Sequence, residues 1–146
     1  MMLDPRSPRF AAAVTTVVLI LILVFRSGWL ALAQAVVFAI SAWSPGWSPY
    51  GLLYRALLAS RLPRPTELEP AAPVRFAQFL GFVIIGIAAA GYLTGVTLLG
   101  LVFTGLALVA AFLNAAFGLC LGCEMYLGYR RLTGKPTPAR VPAPLP

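Results

Sequence analysis

The sequence predicts an all-α integral membrane protein, a bundle of four transmembrane helices that form two helical hairpins. Apolar residues make up 60% of the 146 residues and charged residues only 10%, whereas soluble domains have roughly 45–50% and 25%. Prolines are absent from two long stretches, residues 9–44 and 74–135, and proline marks helix ends and loops. The helices therefore lie in these two stretches, and residues 1–132 form one membrane domain.

The first stretch divides at Arg26-Ser27-Gly28 into helices at residues 10–25 and 28–43. Both are shorter than the roughly 20 residues that cross a bilayer, so spanning requires snorkelling arginines or local thinning. A partly inserted hairpin is the alternative. A basic start, an apolar run and Ala31-Leu32-Ala33 also resemble a signal peptide, but the apolar segments that follow favour an uncleaved helix.

Residues 44–75 form a loop, because their prolines and arginines forbid a crossing. Within it, Ser48-Pro49 is typical of an N-cap followed by a first-turn proline, which predicts a short interfacial helix at residues 50–62. The second stretch divides near residues 91–97 into helices at 76–92 and 98–127. The proline-rich tail, residues 133–146, is predicted to be extended and disordered.

Basic residues determine the predicted orientation. They precede the first helix, occupy the 44–75 loop and follow the fourth helix, and only Arg26 lies on the opposite side. Since positive loops stay inside, we expect a multi-pass protein of a bacterial inner membrane with a cytoplasmic loop and cytoplasmic termini. The bilayer is the predicted partner. Nucleic-acid binding is not predicted, because the charges are dispersed between apolar runs rather than clustered on a surface.

A weak internal repeat supports the hairpin arrangement. Pro-Arg-Phe-Ala at residues 8–11 opens the first stretch, and Pro-Val-Arg-Phe-Ala at residues 73–77 opens the second. Tyr-Arg pairs, at residues 54–55 and 129–130, close them. Two hairpins in parallel orientation produce such a pattern, as in membrane proteins with parallel repeats. Chance similarity of short motifs is the alternative.

Chemistry is concentrated at Cys120-Leu121-Gly122-Cys123, followed by Glu124. These are the only cysteines, and the chain has no histidine. Cysteines three residues apart share a helix face and can form a disulfide. Such a pair can cycle between dithiol and disulfide or pass sulfur between thiols. Cys120, Cys123 and Glu124 are thus the candidate catalytic residues, with Glu124 as proton partner or structural acid.

A continuous helix over residues 98–127 gives this segment two faces. One carries Cys120, Cys123, Glu124 and Leu127. The other carries small residues at four-residue spacing, the pattern of a close helix contact: Ala111, Ala115, Gly118 and Gly122. The cysteines can also be plain packing residues. Metal binding is a weaker reading, since two thiols and one acid give three ligands without histidine, and no cofactor is predicted.

Four segments resemble an uncharacterised bacterial membrane family, domain of unknown function 4395: residues 4–11 (DPRSPRFA), 48–51 (SPYG), 75–77 (RFA) and 111–126 (AFLNAAFGLCLGCEMY). The resemblance extends over nearly the whole chain to residue 132. It implies a compact membrane domain of about four helices. Genes for such proteins often lie beside those of sulfurtransferases and thioredoxin-like proteins, which implies a cytosolic partner of that kind. The resemblance implies no reaction.

The functional hypothesis is a thiol-redox or sulfur-relay component that uses Cys120 and Cys123 at the cytoplasmic side of the membrane. The alternative is a non-enzymatic membrane scaffold or a subunit of a small-solute transporter, in which the cysteines only pack. The sequence does not decide between an enzyme and a binding protein.

Overall fold

The computed structural model describes residues 2–3, 6–44, 47–59, 61, 67–134 and 141–142. Its helices are α1 Arg6–Phe25, α2 Gly28–Trp43, α3 Pro49–Tyr54, α4 Ala71–Thr94, α5 Thr97–Phe117 and α6 Leu121–Leu132. A π-helical turn, Arg55–Ala59, continues α3. Three short strands, β1 Met2–Leu3, β2 Glu67–Pro70 and β3 Val141–Pro142, pair antiparallel in the order β1-β2-β3. The fold is the predicted helical bundle.

Among the described residues, three helices are long and apolar enough to cross a membrane: α1, α5 and, from Ala72, α4. Helix α2 is apolar but has 16 residues. Its bounds are those predicted. Ser27 begins it, since the Ser27 hydroxyl accepts the Leu30 N–H at 3.2 Å. Helices α1 and α4 begin earlier than predicted because proline is tolerated in a first helical turn, where Pro8 and Pro73 stand.

The prediction of one helix over residues 98–127 is wrong. Helix α5 stops at Phe117, and Gly118 follows with φ +70°. The Gly118 N–H donates to the Asn114 carbonyl at 3.0 Å, and the Leu119 N–H donates to the Leu113 carbonyl at 3.3 Å. These two bonds and a left-handed glycine form a Schellman-type stop. The membrane span therefore ends before the cysteines, and a separate helix begins after them.

Packing joins the two hairpins. Helix α2 packs chiefly on α4, and α1 chiefly on α5, while α1 and α2 touch each other little. The core between α2 and α4 contains fully buried alanines, Ala31 and Ala35 on one helix and Ala88 and Ala89 on the other. Small side chains let membrane helices approach closely. The four long helices therefore form one bundle rather than two separate hairpins.

The internal repeat is visible in matched contacts. We call α1–α3 the N-terminal repeat and α4–α6 the C-terminal repeat. Arg9, at the start of α1, donates from Nη2 to the Ala115 carbonyl near the end of α5, at 3.3 Å. Arg75, at the start of α4, donates from Nε to the Ala42 carbonyl near the end of α2, at 2.9 Å. Exchanging the repeats converts one contact into the other.

Aromatic contacts repeat as well, but the counterpart of Tyr54 is Tyr126, whereas the sequence pattern predicts Tyr129. The rings of Phe10 and Tyr54 have centroids 5.7 Å apart, and so do the rings of Phe76 and Tyr126. The first pair ties α3 to α1, and the second ties α6 to α4. Helices α3 and α6 are thus equivalent short helices at the same end of the bundle, where α1 and α4 begin and α2 and α5 end.

Parts of the predicted loop and tail fall outside the described residues, namely residues 45–46, 60, 62–66, 135–140 and 143–146. Helix α3 lies within the predicted loop and begins as expected, with Ser48 as N-cap and Pro49 in the first turn. The prediction of a wholly disordered tail does not hold at Val141 and Pro142. Their backbones pair with Leu68 and Glu67, a pairing without a local sequence signal.

Candidate functional site

Cys120 and Cys123 form a disulfide in the connection between α5 and α6, with Cα atoms 5.2 Å apart. Cys120 is the N-cap of α6, and its Sγ accepts the Cys123 N–H at 3.2 Å. The three-residue spacing thus brings the sulfurs together, as predicted, but by N-cap geometry rather than on the face of a continuous helix. The pair lies at the first turn of a 12-residue helix.

The three predicted site residues differ in exposure. Cys123 is buried, with 7% of its surface exposed. Cys120 is partly buried, and Glu124 is exposed in the first turn of α6. The Glu124 N–H donates to the Cys120 carbonyl at 3.0 Å. Cys120 is therefore the more accessible sulfur, and the Glu124 carboxylate faces solvent close to it in the chain.

One cavity, which we call the outer cavity, reaches both cysteines. Its volume is about 300 Å³, and Arg6, Arg9 and Asn114 contribute to its lining. The Arg9 guanidinium passes Gly118: a Cβ built there lies 3.7 Å from Arg9 Nε. Positive charge from α1 is thus placed in the wall of the cavity that the disulfide also lines. Sequence reasoning missed Arg9, although the repeated Pro-Arg-Phe-Ala pattern was the available signal.

A second cavity, the central cavity, lies between the two repeats and has a volume of about 110 Å³. Gln34 and Tyr50 line it from the N-terminal repeat, and Cys120 lines it from the C-terminal repeat. The Tyr50 hydroxyl donates to Gln34 Oε1 at 2.6 Å, and burial raises the pKa of Tyr50, which keeps it a donor. Gln34 is 1% exposed, and its Nε2 has no hydrogen-bond partner within the described part of the chain.

The repeats make this cavity chemically asymmetric. Ala42 and Ala115 are equivalent in the two repeats, because each accepts a hydrogen bond from an arginine. Gln34 and Ala107 lie eight residues before them and are therefore equivalent too, and both line the central cavity. The N-caps of α3 and α6, Ser48 and Cys120, line it as well. At these paired positions the N-terminal repeat supplies the amide, and the C-terminal repeat supplies the sulfur.

The predicted small face is only partly an interface. A Cβ on Gly122 lies 2.7 Å from Ala77 Cα, so α6 packs directly on the backbone of α4. Gly118 instead ends α5 in a left-handed conformation. The close contact predicted for Gly122 is therefore present, whereas Gly118 has a different role. Among the residues with described positions, no three His, Cys, Asp or Glu side chains gather as a metal site.

The sequence profile described as Domain of unknown function (DUF4395) matches residues 3–131. The chain belongs to the DUF4395 family. The match includes both repeats almost to the end of α6, and with them the disulfide and both cavities. Neither a curated protein nor a solved structure matches this DUF4395 protein. Its apolar helices indicate a multi-pass membrane protein, and any molecular function must be inferred from the site itself.

Proposed function

We propose that this DUF4395 protein is a membrane thiol-redox protein, in which Cys120 and Cys123 exchange electrons with the thiols of a partner protein. One observation carries the proposal. The two cysteines form a disulfide at the N-terminus of α6, both line a cavity of about 300 Å³, and Cys120 is partly exposed. A pair that only filled space would not need this room beside it.

The surroundings favour the thiolate of Cys120 after reduction. Its sulfur faces the Cys123 N–H at the N-terminus of α6, where the helix dipole stabilises negative charge. Arg9 adds a positive charge at the same cavity. An apolar site and the Glu124 carboxylate oppose ionisation of a thiol. The N-terminus of α6 and the charge of Arg9 act in the opposite direction and offset that effect.

The greater exposure of Cys120 makes it the sulfur that a partner thiolate attacks first. A partner thiolate attacks Cys120 Sγ, the Cys120–Cys123 bond breaks, and Cys123 leaves as a thiolate that takes up a proton. The second partner thiolate then attacks the partner sulfur of the mixed disulfide and displaces the Cys120 thiolate. The partner dithiol becomes a disulfide, and the pair gains two electrons. The reverse sequence reduces a partner disulfide.

Glu124 is the proposed proton partner. It follows Cys123 directly and is exposed, so its carboxylate can pass a proton between a thiol and water. As a structural acid in the first turn of α6, it would contribute only about 0.3–1 kcal/mol through the helix dipole. Glu124→Gln separates the two roles. If Glu124 is a proton partner, the variant exchanges thiols several-fold more slowly and its stability is nearly unchanged. If Glu124 is a structural acid, the variant changes only in stability.

We infer that the cysteine end faces the cytoplasm. Arg9 and Arg75 lie at this end, α6 adds Arg130 and Arg131, and Arg26 lies at the opposite end of α1. Positive charge stays inside. Cytoplasmic thiols are kept reduced, so the pair rests as a dithiol and oxidises during turnover. A thioredoxin-like protein or a sulfurtransferase is the proposed partner, and the basic outer cavity suits an acidic surface on it.

The test uses the full-length protein in lipid nanodiscs with a reduced thioredoxin. Alkylation and mass measurement should show the pair passing from disulfide to dithiol as thioredoxin is oxidised. The Thr16→Val variant should behave as the native protein, because within the described part of the chain this hydroxyl bonds only to the Ala12 carbonyl. A deletion strain fully rescued under thiol stress by a Cys120→Ala/Cys123→Ala protein would refute the redox function.

A small-solute transporter subunit is the second candidate, and the central cavity favours it. Membrane proteins with repeats bind substrates at the interface between repeats, which is where this cavity lies. This alternative predicts that the double alanine variant retains full function and that no thiol partner is captured.

A further inference from the structure

We propose that the central cavity binds the ring of a membrane quinone, which accepts the two electrons of the reduced Cys120–Cys123 pair. This inference rests on the proposed thiol-redox function and names the electron acceptor for the same site. It follows from the position of Cys120, from Gln34 Nε2, which has no hydrogen-bond partner among the described residues, and from the composition of the cavity wall.

The chain itself holds no second redox pair. Cys120 and Cys123 are its only cysteines, and it has no histidine. Two electrons that enter the pair must leave to a second thiol partner or to a small acceptor. Cys120 lies in the walls of both cavities. A thiol partner can reach it through the outer cavity while an acceptor occupies the central one.

The amide of Gln34 indicates what the acceptor must offer. Its Nε2 is a buried donor without a partner among the described residues, and buried polar groups are normally hydrogen-bonded. Tyr50 fixes the amide by donating to Oε1, so Nε2 remains available. The matching ligand atom is an acceptor such as a carbonyl oxygen. Tyr50 is thus a positioning residue, and Gln34 is the proposed binding residue.

Size and surroundings restrict the ligand further. The cavity, about 110 Å³, is smaller than the roughly 150 Å³ apolar cavity that takes up a benzene ring, so it admits no group larger than a single ring, and ring substituents must lie outside it. Phe38, Ile84 and Ala107 supply apolar wall, and long apolar helices surround it. A flat six-membered ring with carbonyl acceptors, soluble in the bilayer and reducible by two electrons, is a quinone. Its tail would leave between helices.

The proposed reaction transfers two electrons and two protons from the cysteine pair to the quinone. The Cys120 thiolate adds to a ring carbon of the quinone, and the Cys123 thiolate then attacks Cys120 Sγ. The sulfur–sulfur bond forms, the carbon–sulfur bond breaks, and its electron pair enters the ring. The two thiol protons end on the two quinone oxygens. The thiols are oxidised by two electrons, and the quinone is reduced to the quinol. A hydrogen bond from Gln34 would stabilise the charge that develops on the carbonyl oxygen.

The experiment uses the full-length protein, reduced in nanodiscs, with a short-chain ubiquinone analogue as the probe. Quinol formation is followed by absorbance, and re-formation of the disulfide by alkylation and mass measurement. Gln34→Leu should lower kcat/KM for the quinone about tenfold or more, while exchange with thioredoxin continues at the native rate. Ala110→Leu, which fills the cavity from α5, should do the same. Thr16→Val is the matched polar-to-apolar control.

Four results distinguish the quinone proposal from the thiol function. Stoichiometric quinol formation by the native protein, with loss in both cavity variants and not in Thr16→Val, supports the proposal. Thioredoxin exchange without quinone reduction overturns the quinone proposal and leaves the thiol function standing. Quinone reduction that is unchanged in both cavity variants overturns the assignment of the cavity. Absence of both exchange and reduction refutes the thiol function as well.

Discussion

Ser48 and Cys120 are equivalent N-caps in the two repeats of this protein. The Ser48 hydroxyl accepts the Gly51 N–H at 3.4 Å, and Cys120 Sγ accepts the Cys123 N–H at 3.2 Å. Each residue begins a short helix that packs on the first helix of its own repeat. One scaffold position thus carries a simple helix cap in one repeat and a disulfide in the other.

The two cysteines should trap a partner unequally. Both cysteines line the outer cavity, but Cys123→Ser leaves the partly exposed Cys120 thiol, whereas Cys120→Ser leaves the buried Cys123 thiol. We expect Cys123→Ser to yield at least about tenfold more mixed disulfide with a thioredoxin-like protein, because exchange requires in-line access to the sulfur. Non-reducing gel mobility and peptide mass measure the product. Equal trapping by both variants would contradict the assigned order of attack.

Two glycines on α6 should respond oppositely to alanine. A Cβ on Gly122 would meet the Ala77 backbone at 2.7 Å, whereas Gly128 has open space around it. Gly122→Ala should destabilise the protein by about 1–3 kcal/mol through overpacking. Gly128→Ala should be neutral or stabilise it by up to about 1 kcal/mol, because alanine favours helix. Thermal unfolding in nanodiscs measures both, and similar stability of the two variants would remove α6 from this interface.

The effect of the Arg9 charge on thiol exchange can be tested with Arg75 as a matched control. Each donates to a backbone carbonyl at the end of a helix of the other repeat, but only Arg9 lines the outer cavity with the cysteines. Arg9→Gln should therefore slow thiol exchange several-fold, and added salt should shrink the difference because exposed charges are screened. Arg75→Gln should exchange at the native rate. Stopped-flow kinetics with thioredoxin make the comparison, and equal slowing would indicate a structural cause.

Topology follows from the charge distribution and can be tested at two places. Gly95, between α4 and α5, lies at the end opposite the cysteines. A reporter inserted after Gly95 should be active outside the cytoplasm, and one fused after the last residue should be active inside it, since positive segments stay inside. Opposite activities at these two sites would place the disulfide outside the cytoplasm and exclude a cytosolic thiol partner.

Much of the bundle could be predicted from local signals. The bounds of α2 were predictable because Ser27 caps one end and a proline-rich segment begins after the other. Starts of α1 and α4 were predicted too late, since a first-turn proline is compatible with helix. The stop at Gly118 was missed because glycine at that position fits two patterns, a close helix contact and a left-handed C-cap. Chain spacing alone does not distinguish them.

The membrane class, the apolar helices, the approximate repeat and the cysteine pair follow from the amino-acid sequence, because these depend on composition and short-range spacing. The surroundings of the pair depend on the packing of the helices. The tertiary structure ended α5 at Phe117 with Gly118 as the C-cap, placed Arg9 in a cavity that Cys120 also lines, and brought Gln34 to a second cavity lined by Cys120. These residues are far apart in the chain, and their meeting depends on how α1, α2 and α4 pack against α5 and α6, which no local pattern encodes.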